Sequence, residues 1–282
     1  MNASAPVRIV TDSACDLPQA LADELGITIV PLTIRFGDEE LVDRRDLTPK
    51  EFWARCAASP VLPETAAPAP GEFTDAFHRL ADDGASGIVC ISLSGALSGT
   101  MQSALVGGAS VSDRVRVEVL DSRSVTLGLG LMAAAAARAA LVGATVDDIV
   151  ASTKSLVDRT TIWGALATLE NLKKGGRIGG ARALLASVLS IKPIVEVRDG
   201  KVEEGGRQRT RHKALGFLVD KVATAGPLDA VGVAHGDAND LDMFVDRLRP
   251  IYAGDIVVGD IGAVIGTHTG PGTIGVVYQR RA

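Results

Sequence analysis

Short apolar runs alternate with longer mixed ones through the first half of the chain. Residues 7–10 form an apolar run ending in Thr11-Asp12-Ser13, Pro18 opens a helical stretch to residue 25, and residues 27–34 return to strand character. Residues 73–80, 87–92, 99–109, 115–120 and 125–141 continue the alternation of short β-branched runs with longer amphipathic or apolar ones. Repeated βα units of this kind predict a parallel sheet with helices on both faces. Residues 60–70, with four prolines and three alanines, are too rich in proline for a helix and too short for a flexible linker, so they predict an ordered excursion.

Beyond residue 160 the pattern changes. Residues 161–167 and 169–174 read as a strand and a short helix, Gly175-Gly176-Arg177-Ile178-Gly179-Gly180 follows, and 181–189 reads as helix. Strands at 191–197 and 201–205 flank Asp199-Gly200, a dipeptide suited to a two-residue hairpin turn. Helices at 210–223 and 240–248, with strands near 230–234, 256–260 and 274–278, complete a mixture of hairpins and parallel units. The predicted fold class is α/β in two domains: residues 1–158 as a three-layer α/β/α parallel sheet, and residues 159–282 as an α+β domain with a mixed sheet.

Composition narrows the classes. The 282 residues are 46% hydrophobic and 22% charged, enough for two cores, and the net charge of -5 argues against wholesale nucleic-acid binding. Cys15, Cys56 and Cys90 are odd in number and show no C-x-x-C spacing, which points away from disulfides and zinc and towards a reducing, cytoplasmic setting. Residues 1–6 lack the charged and apolar regions of a secretory signal. Residues 125–146 are apolar but built mostly of Ala and Gly around Arg138, which reads as a buried helix rather than a membrane span.

Candidate chemistry collects at predicted strand ends. Thr11-Asp12-Ser13, Ser92-Leu93-Ser94-Gly95 and Asp121-Ser122 should share one edge, where open parallel sheets bind ligands. Ser94-Gly95-Ala96-Leu97-Ser98-Gly99-Thr100 puts hydroxyls and glycines at a helix start, which suits an anion, although capping alone explains Ser98 equally well. Residues 262–275 place His268 among threonines and glycines, and read as a loop presenting an imidazole to a small polar or anionic group. Asp240 reads as a helix cap and His235-Gly236-Asp237 falls short of a metal shell, so no metal and no cofactor are expected. Asp12 and Asp121 could pair, but strand-end aspartates commonly bond loop N–H groups. Gly175 to Gly180 matches no nucleotide-binding loop.

Four segments, in order along nearly the whole chain, carry a resemblance. Val10-Thr11-Asp12-Ser13-Ala14-Cys15-Asp16-Leu17-Pro18, Leu97-Ser98-Gly99-Thr100, Leu172-Lys173-Lys174-Gly175-Gly176-Arg177-Ile178 and Gly266-Thr267-His268-Thr269-Gly270-Pro271-Gly272 look like the successive signatures of the DegV family, the FakB-type fatty-acid-binding subunits. The resemblance implies a two-domain fold holding one long-chain fatty acid between the domains. It also implies a separate kinase, FakA, that phosphorylates the bound carboxylate for phospholipid synthesis. By the same resemblance Thr65, Ser94, Gly95 and His268 would contact the carboxylate, with Ser98, Thr100 and Thr267 in support. This sequence departs from the family pattern at Ala66-Ala67, which replace a polar pair, and at Gly95, which replaces a serine.

Physical chemistry divides the work between tail and head. About 15 methylenes at about 0.8 kcal/mol each give roughly 12 kcal/mol of transfer energy, against about 1.5–3 for each hydrogen bond to a charged group. The tail needs a long apolar slot, which the runs at 162–167 and 184–189 could line. Basic clusters at Lys173-Lys174, Arg177 and Arg182, and at Arg207, Arg209, Arg211 and Lys213, suit an acidic partner or, transiently, an anionic membrane surface. With the kinase in view, Arg177 and Arg207 are the expected docking residues. Two other classes stay open: an acyl hydrolase or transferase, for which Ser98 lacks a G-x-S-x-G setting, and a lipid-responsive regulatory protein.

Overall fold

The computed structural model describes residues 6–59, 61–186 and 191–282. In chain order the first half gives β1 (Val7–Asp12), α1 (Gln19–Glu24), β2 (Thr28–Val30), β3 (Thr33–Phe36), β4 (Glu39–Val42), α2 (Pro49–Ala58), β5 (Glu64–Ala66), α3 (Pro70–Asp82), β6 (Gly87–Ser92), α4 (Thr100–Ala109), β7 (Val117–Asp121), α5 (Thr126–Leu141) and α6 (Val146–Arg159). The second half gives β8 (Thr160–Ala165), α7 (Glu170–Lys174), β9 (Lys192–Arg198), β10 (Lys201–Gln208), α8 (Arg211–Ala223), β11 (Leu228–His235), α9 (Leu241–Leu248), β12 (Ile256–Asp260), α10 (Ala263–Thr269) and β13 (Ile274–Arg280).

The first sheet runs β2-β1-β6-β7 with every pair parallel, as the βα alternation predicts. Successive strand residues point to opposite faces, so the strands feed two cores. Val10, Ile88 and Cys90 pack with Phe73 and Phe77 of α3. Ile9, Val89 and Ile91 pack on the other face with Leu127, Leu129 and Ala133 of α5. This is the expected three-layer arrangement.

The second sheet, β10-β9-β8-β13-β11-β12, is mixed: β11 and β12 are parallel and its other pairs antiparallel. The Asp199-Gly200 turn joins β9 to β10 with φ of 49° and 76°, the doubly positive pair that a two-residue hairpin requires. Helix α5 lies against both sheets, touching β1 on one side and β11 on the other. That position explains its composition, since a helix buried all round is apolar all round, and close approach favours small residues. A Cβ at Gly128 would fall 2.5 Å from Ile162, and one at Gly130 would fall 2.5 Å from the Cys15 carbonyl. Among the described residues no helix is long and apolar enough to cross a membrane.

Several segments differ from the expectation. Residues 27–34 form two strands, β2 and β3, and β3 joins β4 and β5 in a small antiparallel sheet that the sequence did not announce. The proline-rich excursion contains β5, which pairs with β3 so that Thr65 lies opposite Ile34. Residues 262–275 are not simply a loop: α10 occupies Ala263–Thr269, with Gly266 packed on Phe52 and Trp53, where a Cβ would sit 2.6 Å from the Phe52 ring. Glycine serves close packing there rather than chain reversal. The expected helix at 181–189 is a 3-10 helix over Gly179–Ala186, and Ser187 to Leu189 lie outside the described residues. Asp240 stands at the start of α9 without capping it, because both its carboxylate oxygens accept from Arg211 at 2.8 Å.

Candidate functional site

Between the two sheets lies a cleft lined by residues from both halves of the chain: Leu32, Thr65, Leu93, Leu97 and Val125 from the first, and Leu172, Arg177, Val264, Ile265 and His268 from the second. It continues inward into a smaller apolar cavity, the two sharing Val125, Leu172, Val202, Ile265 and Thr269. Outward it meets a wider mouth that shares Thr65, Arg177 and His268. The three spaces form one slot, apolar at depth and polar at its neck.

Register explains the inner hollow. Gly275 on β13 pairs with Gly164 on β8 and with Ala234 on β11, so three adjacent strands present small residues side by side. All three line the inner cavity. Their sequence neighbours Trp163, Val233 and Val276 point to the opposite face and pack with Leu215 and Phe244 of α8 and α9. The sheet is filled on one side and hollow on the other.

At the neck, Thr65 Oγ1 lies 3.2 Å from His268 Nε2. Two elements converge to make this contact: β5 sets Thr65 through its pairing with β3, and the last turn of α10 sets His268. The ring is backed by Gly175, where a Cβ would stand 2.2 Å from Nδ1, so only glycine fits behind the imidazole. Burial, helped by the Arg177 guanidinium, pushes the His268 pKa down to about 4, which leaves a neutral imidazole at neutral pH. Arg177 donates to the carbonyls of Gly175 at 2.7 Å and Leu97 at 3.3 Å. A held cation, a neutral imidazole and a hydroxyl thus line the neck of an apolar slot, a set of groups suited to a carboxylate with a long tail.

The other expected site residues are placed as follows. Ser94 is fully buried; its hydroxyl donates to the Gly200 carbonyl at 2.7 Å and accepts from Ala96 N–H, while Gly95 N–H donates to Asp121. Their polar groups therefore fasten the loop after β6 to the β9–β10 hairpin and to β7, and do not face the cleft. Ser98 lines the cleft, with its hydroxyl 2.9 Å from that of buried Thr100. The Thr267 hydroxyl donates to the Ala263 carbonyl within α10. Arg177, expected on a docking face, is half-buried in the cleft wall, and Arg207 is exposed on β10. Asp12 and Asp121 do not pair: Asp12 accepts from Ser92 and Leu93, and Asp121 from Gly95 and Arg123. Among the described residues no group of three or more His, Cys, Asp or Glu could hold a metal ion.

The 162–167 run lines the inner cavity as expected, through Ile162, Gly164 and Leu166, whereas Gly275, Ala234 and Gly175 were not singled out for their roles in the site. Each is a small residue whose meaning depends on what lies across a strand or behind a ring, which sequence spacing does not encode.

A family model described as an uncharacterised protein of the DegV family matches residues 6–281. A DegV domain-containing protein of Streptomyces coelicolor is 38% identical over 282 residues, covering 98% of this chain and 99% of that one. Among solved structures, a DegV family protein of Thermus thermophilus, described for its fatty acid binding, is 31% identical with a TM-score of 0.88, covering 98% of this chain and 100% of that chain. A stearic acid-binding protein of Eubacterium ventriosum is 26% identical with a TM-score of 0.90, covering 97% and 98%. With the fold, the slot and these relatives in agreement, the chain belongs to the DegV family.

Proposed function

We propose that this protein is a cytoplasmic carrier that holds one long-chain fatty acid between an N-terminal domain (1–158) and a C-terminal domain (159–282), and presents its carboxylate to a separate ATP-dependent fatty acid kinase. The observation that carries the reading is the His268–Thr65 pair at the neck of an apolar slot. The acyl chain lies along the Gly164–Gly275–Ala234 floor. The carboxylate accepts from Thr65 Oγ1 and from His268 as an Nε2–H donor, with Ser98 close by and Arg177 supplying the positive charge. A bound carboxylate offsets the effect of Arg177 and raises the His268 pKa from its ligand-free value of about 4. Ser94, Gly95, Thr100 and Thr267 hold the surrounding backbone.

The fatty-acid-binding relatives support the ligand class, and the open mouth supports delivery, since it leaves the neck accessible from one side. In this reading the kinase supplies the nucleotide site and covers the mouth, meeting Arg177 of the cleft wall and Arg207 exposed on β10. The acyl phosphate it forms serves phospholipid synthesis. Incubation with such a kinase, ATP and oleate tests this: wild type supports acyl phosphate formation, His268→Ala and Thr65→Ala reduce it, and charge reversal at Arg177 and Arg207 reduces it further. Unchanged yield in both single alanine variants excludes them as carboxylate ligands.

A further inference from the structure

Outside the slot, a cluster of ionisable groups is buried where β1 ends and the turn after β4 begins. Asp12, Cys15, Asp16 and Asp43 are each 2% exposed or less. Asp12 has a local explanation, because its carboxylate accepts from Ser92, Leu93 and Ala14 and ties β1 to β6. Asp16 and Asp43 reach elsewhere. Asp16 Oδ1 accepts from the Gly262 N–H at 2.9 Å, and Gly262 is the residue that opens α10. The Ala263 N–H, the next donor of that helix, lies against Asp43 together with the Ser13 hydroxyl and the Arg44 N–H. A Cβ on Gly262 would stand 3.1 Å from Asp16 Oδ1 and 4.0 Å from Asp43 Oδ2, so the two carboxylates flank this one Cα.

Three further features mark the arrangement as specified. The second oxygens of Asp16 and Asp43, and the hydroxyl of Thr126, are buried without a protein hydrogen bond. Asp16, Arg44 and Thr126 all hold left-handed backbone, with φ of 49°, 65° and 48°, a conformation that side chains other than glycine adopt at a cost. Burial pushes the Asp16 pKa up to about 7 against the Gly262 hydrogen bond, the nearby Thr126 hydroxyl and the Arg44 charge, so ordinary stability would favour an apolar residue there. A helix start exposes free N–H donors and the positive end of its dipole, which is what these carboxylates meet.

We propose that Asp16 and Asp43 are positioning residues for the carboxylate site: Asp16 holds the Gly262 N–H and Asp43 flanks the same residue, and together they set the place of α10, and so where His268 stands opposite Thr65. The inference rests on the carboxylate-binding reading of that pair. Helix α10 spans seven residues and is backed by Trp53 and Phe52, so a displacement at its first residue passes to its last turn. Asn171, donating to the Thr267 carbonyl at 3.0 Å, steadies the other end.

The test compares dissociation constants for palmitate and for hexadecanol, which keeps the chain and lacks the carboxylate, in wild type, Asp16→Ala, Asp43→Ala and Asp16→Asn. Wild type should favour the acid by about tenfold or more, as one hydrogen bond to a charged group gives. The alanine variants should bring the ratio to within about threefold of unity through weaker acid binding at unchanged hexadecanol affinity. Asp16→Asn keeps an oxygen for the Gly262 N–H and should restore the preference. A purely structural role would move both ligands together, so an unchanged ratio in both alanine variants overturns the proposal. Should those variants not fold, Gly262→Ala crowds the Asp16 carboxylate while leaving every charge in place: a lowered ratio supports the proposal and an unchanged one overturns it. A wild-type ratio near one sinks the head-group reading itself, and the positioning role with it.

Discussion

The two faces of the six-stranded sheet are made by the same strands, yet they do opposite things. On the outer face Trp163, Val231, Val233, Val276 and Tyr278 meet α8 and α9 and fill the space between them. On the inner face Gly164, Ala234 and Gly275 stand side by side and leave an apolar cavity. Dense packing stabilises a fold, whereas a hollow forfeits those contacts and is kept only where something else fills it. The difference separates residues that fill the space beside the sheet from residues that leave it open, one position apart along each strand.

The largest effect should come from breaking the filled face. Phe244→Ala removes a fully buried ring from the outer core and should cost about 3–5 kcal/mol of stability by denaturant unfolding, with fatty acid affinity in the folded protein unchanged. At the neck, His268→Ala should weaken palmitate binding by about 1.5–3 kcal/mol in calorimetry while stability stays near wild type. Filling the hollow comes next. A Cβ at Gly275 meets its neighbours at 3.6 Å or more, so Gly275→Leu should be tolerated by the backbone and project into the cavity. Excluding about two methylenes should cost roughly 1.6 kcal/mol for stearate and much less for a shorter acid, seen as a shift in chain-length preference.

The pH dependence of stability sharpens the comparison in another way, because two sites of opposite sign overlap. His268, held near 4 when folded against an ordinary 6.5, resists protonation in the folded state, so the stability it contributes is present above about 6.5 and lost as pH falls towards 4. Asp12 and Asp16, raised to about 6 and about 7 from 3.8, keep their protons in the folded state longer than in the unfolded chain. Their ionisation therefore destabilises the fold progressively as pH rises from about 4 to about 7. Stability curves for His268→Ala and Asp16→Asn, each subtracted from wild type, should slope in opposite directions across this window.

Much of the outer architecture was legible in the sequence, because it follows from local periodicity. The parallel β1, β6 and β7 strands, the apolar α5 and the Asp199-Gly200 hairpin each rest on a few neighbouring residues. Helices α2 and α6 were equally legible through their capping boxes, Thr48 with Glu51 and Thr145 with Asp148, but they went unread among longer patterns. The site was legible only in part. His268 stood out by its glycine- and threonine-rich setting and Thr65 by resemblance, and their contact across 203 positions is a property of the fold. Glycines misled where packing decided: Gly266 belongs to a helix pressed on Trp53, and Gly175 backs an imidazole. The floor of the slot joins residues 164, 234 and 275 through strand register, which no local pattern carries.

The central claim is that the hollow between the sheets exists to hold an acyl chain whose carboxylate stops at His268 and Thr65. Mass spectrometry of an organic extract of the gently purified protein tests this most directly, because a ligand enclosed there should survive purification. A long-chain fatty acid present at close to one per protein, and depleted in His268→Ala, is the predicted result. An extract without lipid, from a protein that also takes up neither added palmitate nor oleate, would contradict it.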